Sequence, residues 1–309
     1  MVLRFIPDHT KFKFVNKRYM AIALSLVVLL GTAFSLFTQS LNFGIDFSGG
    51  VIIEIKADHP VDLSILRESL GKNVSLQNLG TPEEVLIRVA PDKNINQAEQ
   101  IKNVKAQLSQ SIKGNIEFRK VDYVGPQVGG ELIKSAITAL LLSFAAMFLY
   151  MWVRFEWQYG AGALLALVHD AAAVIGFYSI TRLEFDLTSV AAILTVIGYS
   201  MNDSVVIYDR VRENIKKYKK LSLAELIDLS VNETLSRTTM TVGTTILALI
   251  SLSIFGGEVI RSFSLGMLFG VVIGTYSSIY VSAVLLIYLD PRKAENRGNK
   301  HAPKFAKGA

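Results

Sequence analysis

The sequence contains no cysteine among its 309 residues. This absence excludes disulfide bonds, thiolate metal sites and cysteine nucleophiles. The chain also lacks a P-loop pattern, a zinc-ligand spacing and any evident pairing of a nucleophile with a base. We therefore expect no enzyme activity and no cofactor, and we expect the energy for any work to come from an ion gradient or from a partner.

Charged residues are also sparse, at 19% of the chain, whereas hydrophobic residues reach 51% and the mean hydropathy is +0.39. The apolar residues form long runs, and about 20 of them in a row can span a hydrocarbon core. The first run exceeds the apolar region of about 7–15 residues in a cleaved signal peptide, so we interpret it as an uncleaved anchor. The runs predict six transmembrane helices, at residues 19–38, 132–153, 159–180, 186–208, 238–255 and 263–289.

Residues 39–131 interrupt this pattern with a water-soluble and nearly neutral segment. Its apolar residues alternate with a period of two in four stretches and recur with helical spacing in two others. The resulting order, β-α-β-β-α-β, is that of the ferredoxin-like split unit. We predict one α+β domain of a size that folds alone. Its strands are expected near 51–55, 74–79, 85–89 and 116–123, and its helices near 61–70 and 95–112.

Glycine occurs in two informative patterns. Paired glycines at Gly49 and Gly50, shortly after Asp46, predict a tight backbone turn at the end of the first span. In the last apolar run a glycine recurs every four residues, which permits close approach of helix backbones. We expect those glycines, Gly266, Gly270 and Gly274, to serve packing.

Basic residues are distributed unequally between the two ends of the predicted spans. The N-terminal segment 1–18, the loop after the second run, the segment 209–237 and the basic tail 291–309 carry nineteen Lys and Arg residues. The short loops at the other end carry only Arg182 and Arg261. Because cytoplasmic loops are enriched in Lys and Arg, both termini are predicted to be cytoplasmic, with residues 39–131 on the opposite side. The net charge of +6 is explained in this way and does not indicate nucleic-acid binding.

One carboxylate, Asp203, lies inside an apolar run, beside Asn202 in the stretch GYSMNDSVVIYDRVREN. An ionisable side chain within a span costs about 2.5–3.5 kcal/mol on insertion scales, so its presence needs a reason. Its helical stripe is small and polar, and such a stripe is expected to face other helices or a wet cavity. We predict that Asp203 gains and loses a proton, the alternative being a paired carboxylate that braces two helices. The other members of the stripe are Thr188, Ala192, Thr195 and Tyr199.

Three further polar positions are candidates for the same proton path. Arg237 opens the fifth run and is either an interfacial arginine or a cation that faces Asp203; hydroxyls at Thr238, Thr241 and Thr245 follow it along one stripe. His169 and Asp170, near the middle of the third run, are either a second titratable group or a satisfied polar pair between helices. The candidate proton-path residues are thus Asp203, Arg237, Asn202, Asp170 and His169.

Several of these stretches occur together and in one order. They are FGIDFSGG at 43–50, VGPQVGGEL at 124–132, the His169–Asp170 pair, GYSMNDSVVIYDRVREN and TLSRT at 234–238. With six spans and one extracytoplasmic domain, the chain resembles the SecF family of the RND superfamily over nearly its whole length. The combination of GYSxND with DRxREN is the most specific part of the resemblance.

The resemblance implies an architecture, a set of partners and an energy source. The architecture is a polytopic α-helical membrane protein of the bacterial inner membrane, an RND-type half with six transmembrane helices and one periplasmic α+β ferredoxin-like domain. The function implied is proton-motive-force-driven assistance to protein export. Family motifs place Asp203 and Arg237 in the proton path. The implied partners are a SecD-like subunit, the SecYEG channel, the translocating preprotein and membrane lipids, with YajC as a further candidate.

Two other functions stay open on the sequence. A proton-driven RND-type exporter of small molecules or lipids is one, although such exporters usually have two large extracytoplasmic insertions and this chain has a single domain of under a hundred residues. A passive assembly scaffold is the other, and it would tolerate loss of the charge on Asp203.

Overall fold

The computed structural model describes residues 10–71, 74–91, 95–112 and 114–292; the predicted ends 1–9 and 293–309 lie outside them. Within the described residues, six helical segments are long and apolar enough to cross a membrane. The elements in chain order are a 3₁₀ turn (Val15–Lys17), α1 (Arg18–Gln39), β1 (Asn42–Phe43), α2 (Ile45–Ser48), β2 (Gly50–Ala57), α3 (Leu63–Leu70), β3 (Val74–Leu79), β4 (Thr81–Val89), α4 (Gln97–Ser111), β5 (Ile116–Val124), α5 (Pro126–Arg154), α6 (Trp157–Thr181), β6 (Glu184–Phe185), α7 (Leu187–Lys217), α8 (Leu223–Phe255), α9 (Gly257–Ser277), a π-helical segment (Ser278–Ser282) and α10 (Ala283–Leu289).

The α+β domain has the predicted order, because β2-α3-β3-β4-α4-β5 follow one another between the first two spans. Its sheet is antiparallel throughout, with the strand order β3-β4-β2-β5 of a ferredoxin-like fold. Central strand β2 buries every second residue, and Val51, Ile53 and Ile55 are fully buried. Leu66 of α3 and Leu108 of α4 belong to the same hydrophobic cluster, so the helices complete the core.

The domain is smaller than the predicted 39–131, because its sheet begins at Gly50 and ends at Val124. The residues before Gly50 pack on the spans: β1 pairs in parallel with β6, and the Phe47 ring stacks on Phe185 at 5.9 Å. On the other side α5 begins at Pro126, which needs no backbone N–H at a helix start. The predicted turn is confirmed, since Gly49 and Gly50 both have positive φ, at 73° and 131°.

Helices α7 and α8 extend beyond the predicted spans 186–208 and 238–255, so most of the segment 209–237 is helical. Helix α7 continues to Lys217, and α8 begins after a capping box formed by Ser222 and Glu225. The extensions pair with each other through Arg210 Nε and Glu233 Oε2 at 2.7 Å. The length of an apolar run reflects the thickness of the hydrocarbon layer. A helix can continue beyond that layer to its capping residues, so hydropathy does not predict where it ends.

The centre of the membrane bundle consists of α6, α7 and the last span, each with more than half of its most apolar stretch buried, whereas α5 has 6% and α8 17% buried. The predicted packing role of the glycines in α9 is confirmed. A Cβ on Gly266 would lie 2.1 Å from Tyr178 Oη, and one on Gly270 would lie 2.3 Å from Val196 Cγ2. These contacts leave no room for a larger residue, so α9 lies directly against α6 and α7.

Candidate functional site

Asp203 lies in the middle of α7 and is almost completely buried, with 3% of its surface exposed. Its Oδ2 atom has no hydrogen-bond partner, and no ion pair to it occurs among the described residues. Burying an ionised carboxylate without a partner is costly. The position therefore needs either a proton or a cation that comes close, which is the property expected of a proton carrier.

Arg237 lies on α8, which packs against α7, and is close enough for its charge to act on Asp203. The two side chains do not form an ion pair, and Arg237 is exposed. About one turn before Asp203 on α7, Tyr199 Oη lies 3.1 Å from Thr245 Oγ1 of α8, and this contact links the two helices directly. The structure thus brings the predicted acid and the predicted cation onto neighbouring helices while leaving a gap between them.

Two hydroxyl groups of the α8 stripe bind to carbonyls of their own helix. Thr241 Oγ1 donates to the carbonyl of Arg237, and Thr245 Oγ1 donates to the carbonyl of Thr241. On α7 the stripe is mixed, since Thr195 is exposed and bonds to its own helix at the Ala191 carbonyl. Hydroxyl groups that are satisfied by their own helix need no wet neighbour.

Asp170 is fully buried and, unlike Asp203, has a partner on each oxygen. Its Oδ2 accepts hydrogen bonds from Ser200 of α7 at 2.6 Å and from Ser277 of α9 at 2.7 Å. Its Oδ1 lies 3.1 Å from Nδ1 of His169. The side chains of His169 and Asp170 therefore contact each other. The hydrogen bonds of Asp170 favour its interpretation as a satisfied polar group between helices over that of a second titratable group.

A ladder of serines, which the sequence reasoning missed, extends from Asp170 along α7 and the last span. Ser278 Oγ donates to the Ser200 carbonyl, and Ser204 Oγ lies 3.2 Å from Ser278 Oγ. One turn further, Tyr208 Oη donates to the Ser282 carbonyl, and Ser282 Oγ donates to Tyr208 Oη. Ser278 and Ser282 are the first and last residues of the π-helical segment, a rare geometry found often at functional sites. In the sequence, Ser278 and Ser282 are four residues apart within an apolar run, and this spacing could have indicated a polar stripe on one face of the last span.

The motif that follows Asp203 has a structural role at the end of the bundle remote from the α+β domain. Asp209 forms an ion pair with Arg154, the last residue of α5, at 3.0 Å. Asn214 Nδ2 donates to Ser230 Oγ and to Glu233 Oε2 of α8. These contacts fix α7 against α5 and α8 in the part of α7 that follows Asp203.

Asn202, beside Asp203, is exposed, and its side chain makes no hydrogen bond among the described residues. Together with Arg237 it leaves a polar surface on α7 and α8, two spans that also carry exposed hydroxyls bound to their own helices. Lipid cannot satisfy an amide or a guanidinium at this depth. Asn202 and Arg237 therefore mark a face of the bundle that requires a protein or water neighbour.

Comparison with known proteins identifies the family. The family model "Protein export membrane protein SecD/SecF, C-terminal" matches residues 103–292, and the SecD/SecF GG motif matches residues 34–61. The protein translocase subunit SecF of Rickettsia bellii is 48% identical over 297 residues, which cover 95% of this chain and 98% of the relative. The chain belongs to the SecF family. The Rickettsia akari SecF is likewise 48% identical, over 96% of this chain and 97% of its own length.

Solved structures agree with the SecF family at the level of the fold. The crystal structure of SecDF from Thermus thermophilus, described as a translocon-associated membrane protein, matches with a TM-score of 0.81 and 34% identity. SecDF in its super-membrane-facing form matches with a TM-score of 0.70. The chain is covered to 93% and 94%, but it spans only 40% of each SecDF chain. It is a multi-pass membrane protein of the protein translocase class, equivalent to part of SecDF.

Proposed function

We propose that this SecF-family chain uses the proton-motive force to assist preprotein export, with Asp203 as its proton carrier. The observation that supports this role is the burial of Asp203 at 3% exposure with an unpartnered Oδ2, next to a cation that does not pair with it. Asp170, which is also buried within the spans, is hydrogen-bonded on both oxygens. A proton can therefore be gained and lost at Asp203 without breaking hydrogen bonds of the kind that Asp170 makes.

The coupling we propose depends on the distance between Asp203 and Arg237. When α8 brings the guanidinium nearer, the carboxylate is stabilised as an anion and releases its proton; when the guanidinium withdraws, the buried carboxylate takes a proton up. A proton gradient that loads Asp203 on one side and unloads it on the other then drives the relative movement of α7 and α8. No cofactor other than protons is required.

A SecD-like subunit is the partner that we propose for the exposed face of α7 and α8. The chain corresponds to 40% of the SecDF chains, and we propose that a SecD-like part of such an assembly covers Asn202 and Arg237. We further propose that the complex works at the SecYEG channel on translocating preproteins, with YajC as an additional candidate. The relatives are named protein translocase subunits, which favours protein export over export of small molecules or lipids.

The proposed location is the bacterial inner membrane, with both termini cytoplasmic and the α+β domain periplasmic. The support is the excess of basic residues at one end of the spans. Reporter fusions test this orientation: a phosphatase active only in the periplasm should be active when fused after Gly71 and inactive when fused after Lys217. The opposite pattern would reverse the side of every site.

The decisive experiment replaces Asp203 by Asn in the complex with its SecD-like partner. Asn keeps the shape but cannot titrate, so the part of preprotein export that disappears when the gradient is dissipated should be lost in membrane vesicles. Asp203→Glu stays titratable and should retain part of it. Asp209→Asn, on the same helix but at an exposed position, is the matched control and should export normally.

Substitutions of Arg237 separate its charge from its shape. Arg237→Lys keeps a cation near Asp203 and should reduce gradient-dependent export less than Arg237→Met does. If Asp203→Asn exports preprotein at the full gradient-stimulated rate, the acid is structural, and the protein is an assembly scaffold instead of a proton-driven machine.

A further inference from the structure

The motif FGIDFSGG at 43–50 has no part in the proposed proton path, although the SecD/SecF GG motif matches this region of the chain. Its central residues form the four-residue helix α2, Ile45–Ser48. This helix lies where the α+β domain joins the spans, and three elements meet it there. They are the connection that leads into α7, the start of α5 and strand β2 of the domain. Its position is that of a joint between the domain and the membrane helices.

The first set of contacts connects α2 to the start of α7. Asp46 Oδ2 accepts a hydrogen bond from the backbone N–H of Leu187, the first residue of α7, at 3.1 Å. An N–H in the first turn of a helix has no partner within that helix, and the helix dipole favours a carboxylate there. Just before α7, the Phe185 carbonyl accepts from the N–H of Gly44 at 2.9 Å, and the Phe185 ring stacks on Phe47. Displacement of the start of α7 therefore acts directly on α2.

Glycines allow α2 to contact α5 and the domain just as closely. A Cβ on Gly129, in the motif VGPQVGGEL, would lie 2.6 Å from the carbonyl oxygen of Phe47. Gly50, the first residue of β2, has φ 131°, and a Cβ there would collide with the carbonyl oxygen of Val89 on β4. Both positions therefore require glycine. Only Gly49 separates α2 from the central strand of the sheet, so movement of α2 is passed on to the domain.

Arg88 of β4 forms a second attachment between the domain and the start of α7. Its Nη1 forms an ion pair with Glu184 of β6, in the connection that leads into α7. Burial lowers the pKa of the Arg88 guanidinium, and the nearby carboxylates Asp186 and Asp46 oppose this shift. Asp186 is the N-cap residue of α7, and Asp46 binds the first N–H of that helix. One cation of the domain thus faces three carboxylates that surround the start of α7.

Helix α7 also carries Asp203, the proposed proton carrier. The helix is unbroken between Leu187 and Asp203, and their separation along the axis is about 24 Å at 1.5 Å per residue. A continuous hydrogen-bonded helix carries a displacement along its length. Movement at the level of Asp203 therefore reaches the contacts of α7 with Asp46 and with the connection that holds Arg88.

We propose that α2 and Arg88 transmit the movement of α7 to the α+β domain, with Asp46 and Arg88 as the positioning residues. This inference rests on the proposed function, in which a change in the charge of Asp203 moves α7 against α8. The domain then changes its position relative to the spans whenever Asp203 gains or loses its proton. The two glycine motifs bring α2 close enough to α5 and to β2 for the domain to follow.

Pairs of spin labels test this transmission in the full-length chain, in complex with a cysteine-free SecD-like partner, because the chain itself has no cysteine. Helix α1, which packs on α6, is the reference for two distances measured by pulsed electron paramagnetic resonance. Met20→Cys with Lys216→Cys reports the position of α7, and Phe37→Cys with Ala106→Cys reports that of the domain. All four side chains are exposed. Both distances are measured with and without Asp203→Asn, which fixes the neutral form.

Asp203→Asn should shift both distances by about 1–2 Å, the size of helix displacements in known switching transitions. When Asp46→Ala and Arg88→Gln are also present, α7 should still respond, but the shift of the domain should be clearly smaller. Asp46→Asn keeps an acceptor for the N–H of α7 and Arg88→Lys keeps the charge, so this pair should restore most of the domain shift. Asp62→Ala, which removes the cap of α3 in the same domain, is the matched control and should leave both shifts unchanged.

A full domain shift in the variant that lacks both side chains would overturn the proposal, because the movement would then bypass them. Response of α7 to Asp203→Asn without any domain shift would overturn it as well and would leave the proposed function standing. Failure of α7 itself to respond would refute the proton-driven movement, and this inference with it. Where loss of both side chains prevents assembly, Asp46→Ala alone decides, since a domain shift equal to that of the parent would overturn the proposal.

Discussion

Substitution of Asp170 tests whether this buried acid fastens the bundle or carries a proton. Its carboxylate holds three spans together through Ser200, Ser277 and the adjacent His169. In Asp170→Ala the two serine hydroxyls and the imidazole lose that partner, and each buried polar group left unsatisfied costs about 1–3 kcal/mol. With the added cavity, we expect a loss of about 3–5 kcal/mol, the range seen when one member of a buried pair is removed.

Asp170→Asn should be much milder. The amide oxygen can accept from both serines, and the amide NH₂ can donate to Nδ1 of His169, so every hydrogen bond has a replacement. Only the charge assistance is lost, at a cost of about 1 kcal/mol. The two variants therefore predict different thermal unfolding in detergent: about 6–10 °C lower for Ala and about 2–3 °C lower for Asn, at roughly 2 °C for each kcal/mol.

Serine variants provide the controls for this prediction. Ser277→Ala removes one bond to Asp170 and should cost about 1–2 kcal/mol, whereas Ser251→Ala removes only a bond to the same helix at an exposed position. The role of Asp170 in holding the three spans together is refuted if Asp170→Ala unfolds within about 2 °C of the parent. If Asp170→Asn is stable but loses gradient-dependent export, Asp170 carries a proton and the division of roles with Asp203 is wrong.

Three further predictions concern packing, surface charge and pH. Gly270→Ala places a Cβ 2.3 Å from Val196 and should destabilise the bundle by about 1–3 kcal/mol in thermal unfolding, whereas Gly243→Ala meets no atom within 4 Å and should be neutral or slightly stabilising. Arg154→Gln breaks an exposed ion pair with Asp209 and should cost less than about 1 kcal/mol, an amount that salt reduces further. In the excised α+β domain, the backbone N–H of Ser64 lowers the pKa of Asp62 at the start of α3. This stabilisation is fully present above the unfolded pKa of about 4 and is lost as the pH falls through the lower folded pKa, so Asp62→Ala should melt below the parent at pH 7, and the difference should shrink as the pH falls below about 4.

The position of the buried acid illustrates what the sequence alone can predict. A carboxylate inside an apolar run is recognisable without any structure, because hydropathy is a local property. The same holds for the six spans and for the order of strands and helices in the α+β domain, which follow from the periods of 3.6 and two. The ends of α7 and α8 were not predictable in this way, because their extensions depend on contacts such as Arg210 with Glu233.

Hydropathy along the chain is enough to place Asp203 and Asp170 within membrane spans. The packing of the helices was needed to show that Asp170 is satisfied by α7 and α9 while Asp203 keeps an unpartnered oxygen. The π-helical segment beside α7 likewise became visible only in the structure. Hydrogen bonds and charge pairs between helices depend on how the helices are rotated and placed against each other, and the spacing of residues along one helix does not contain that information.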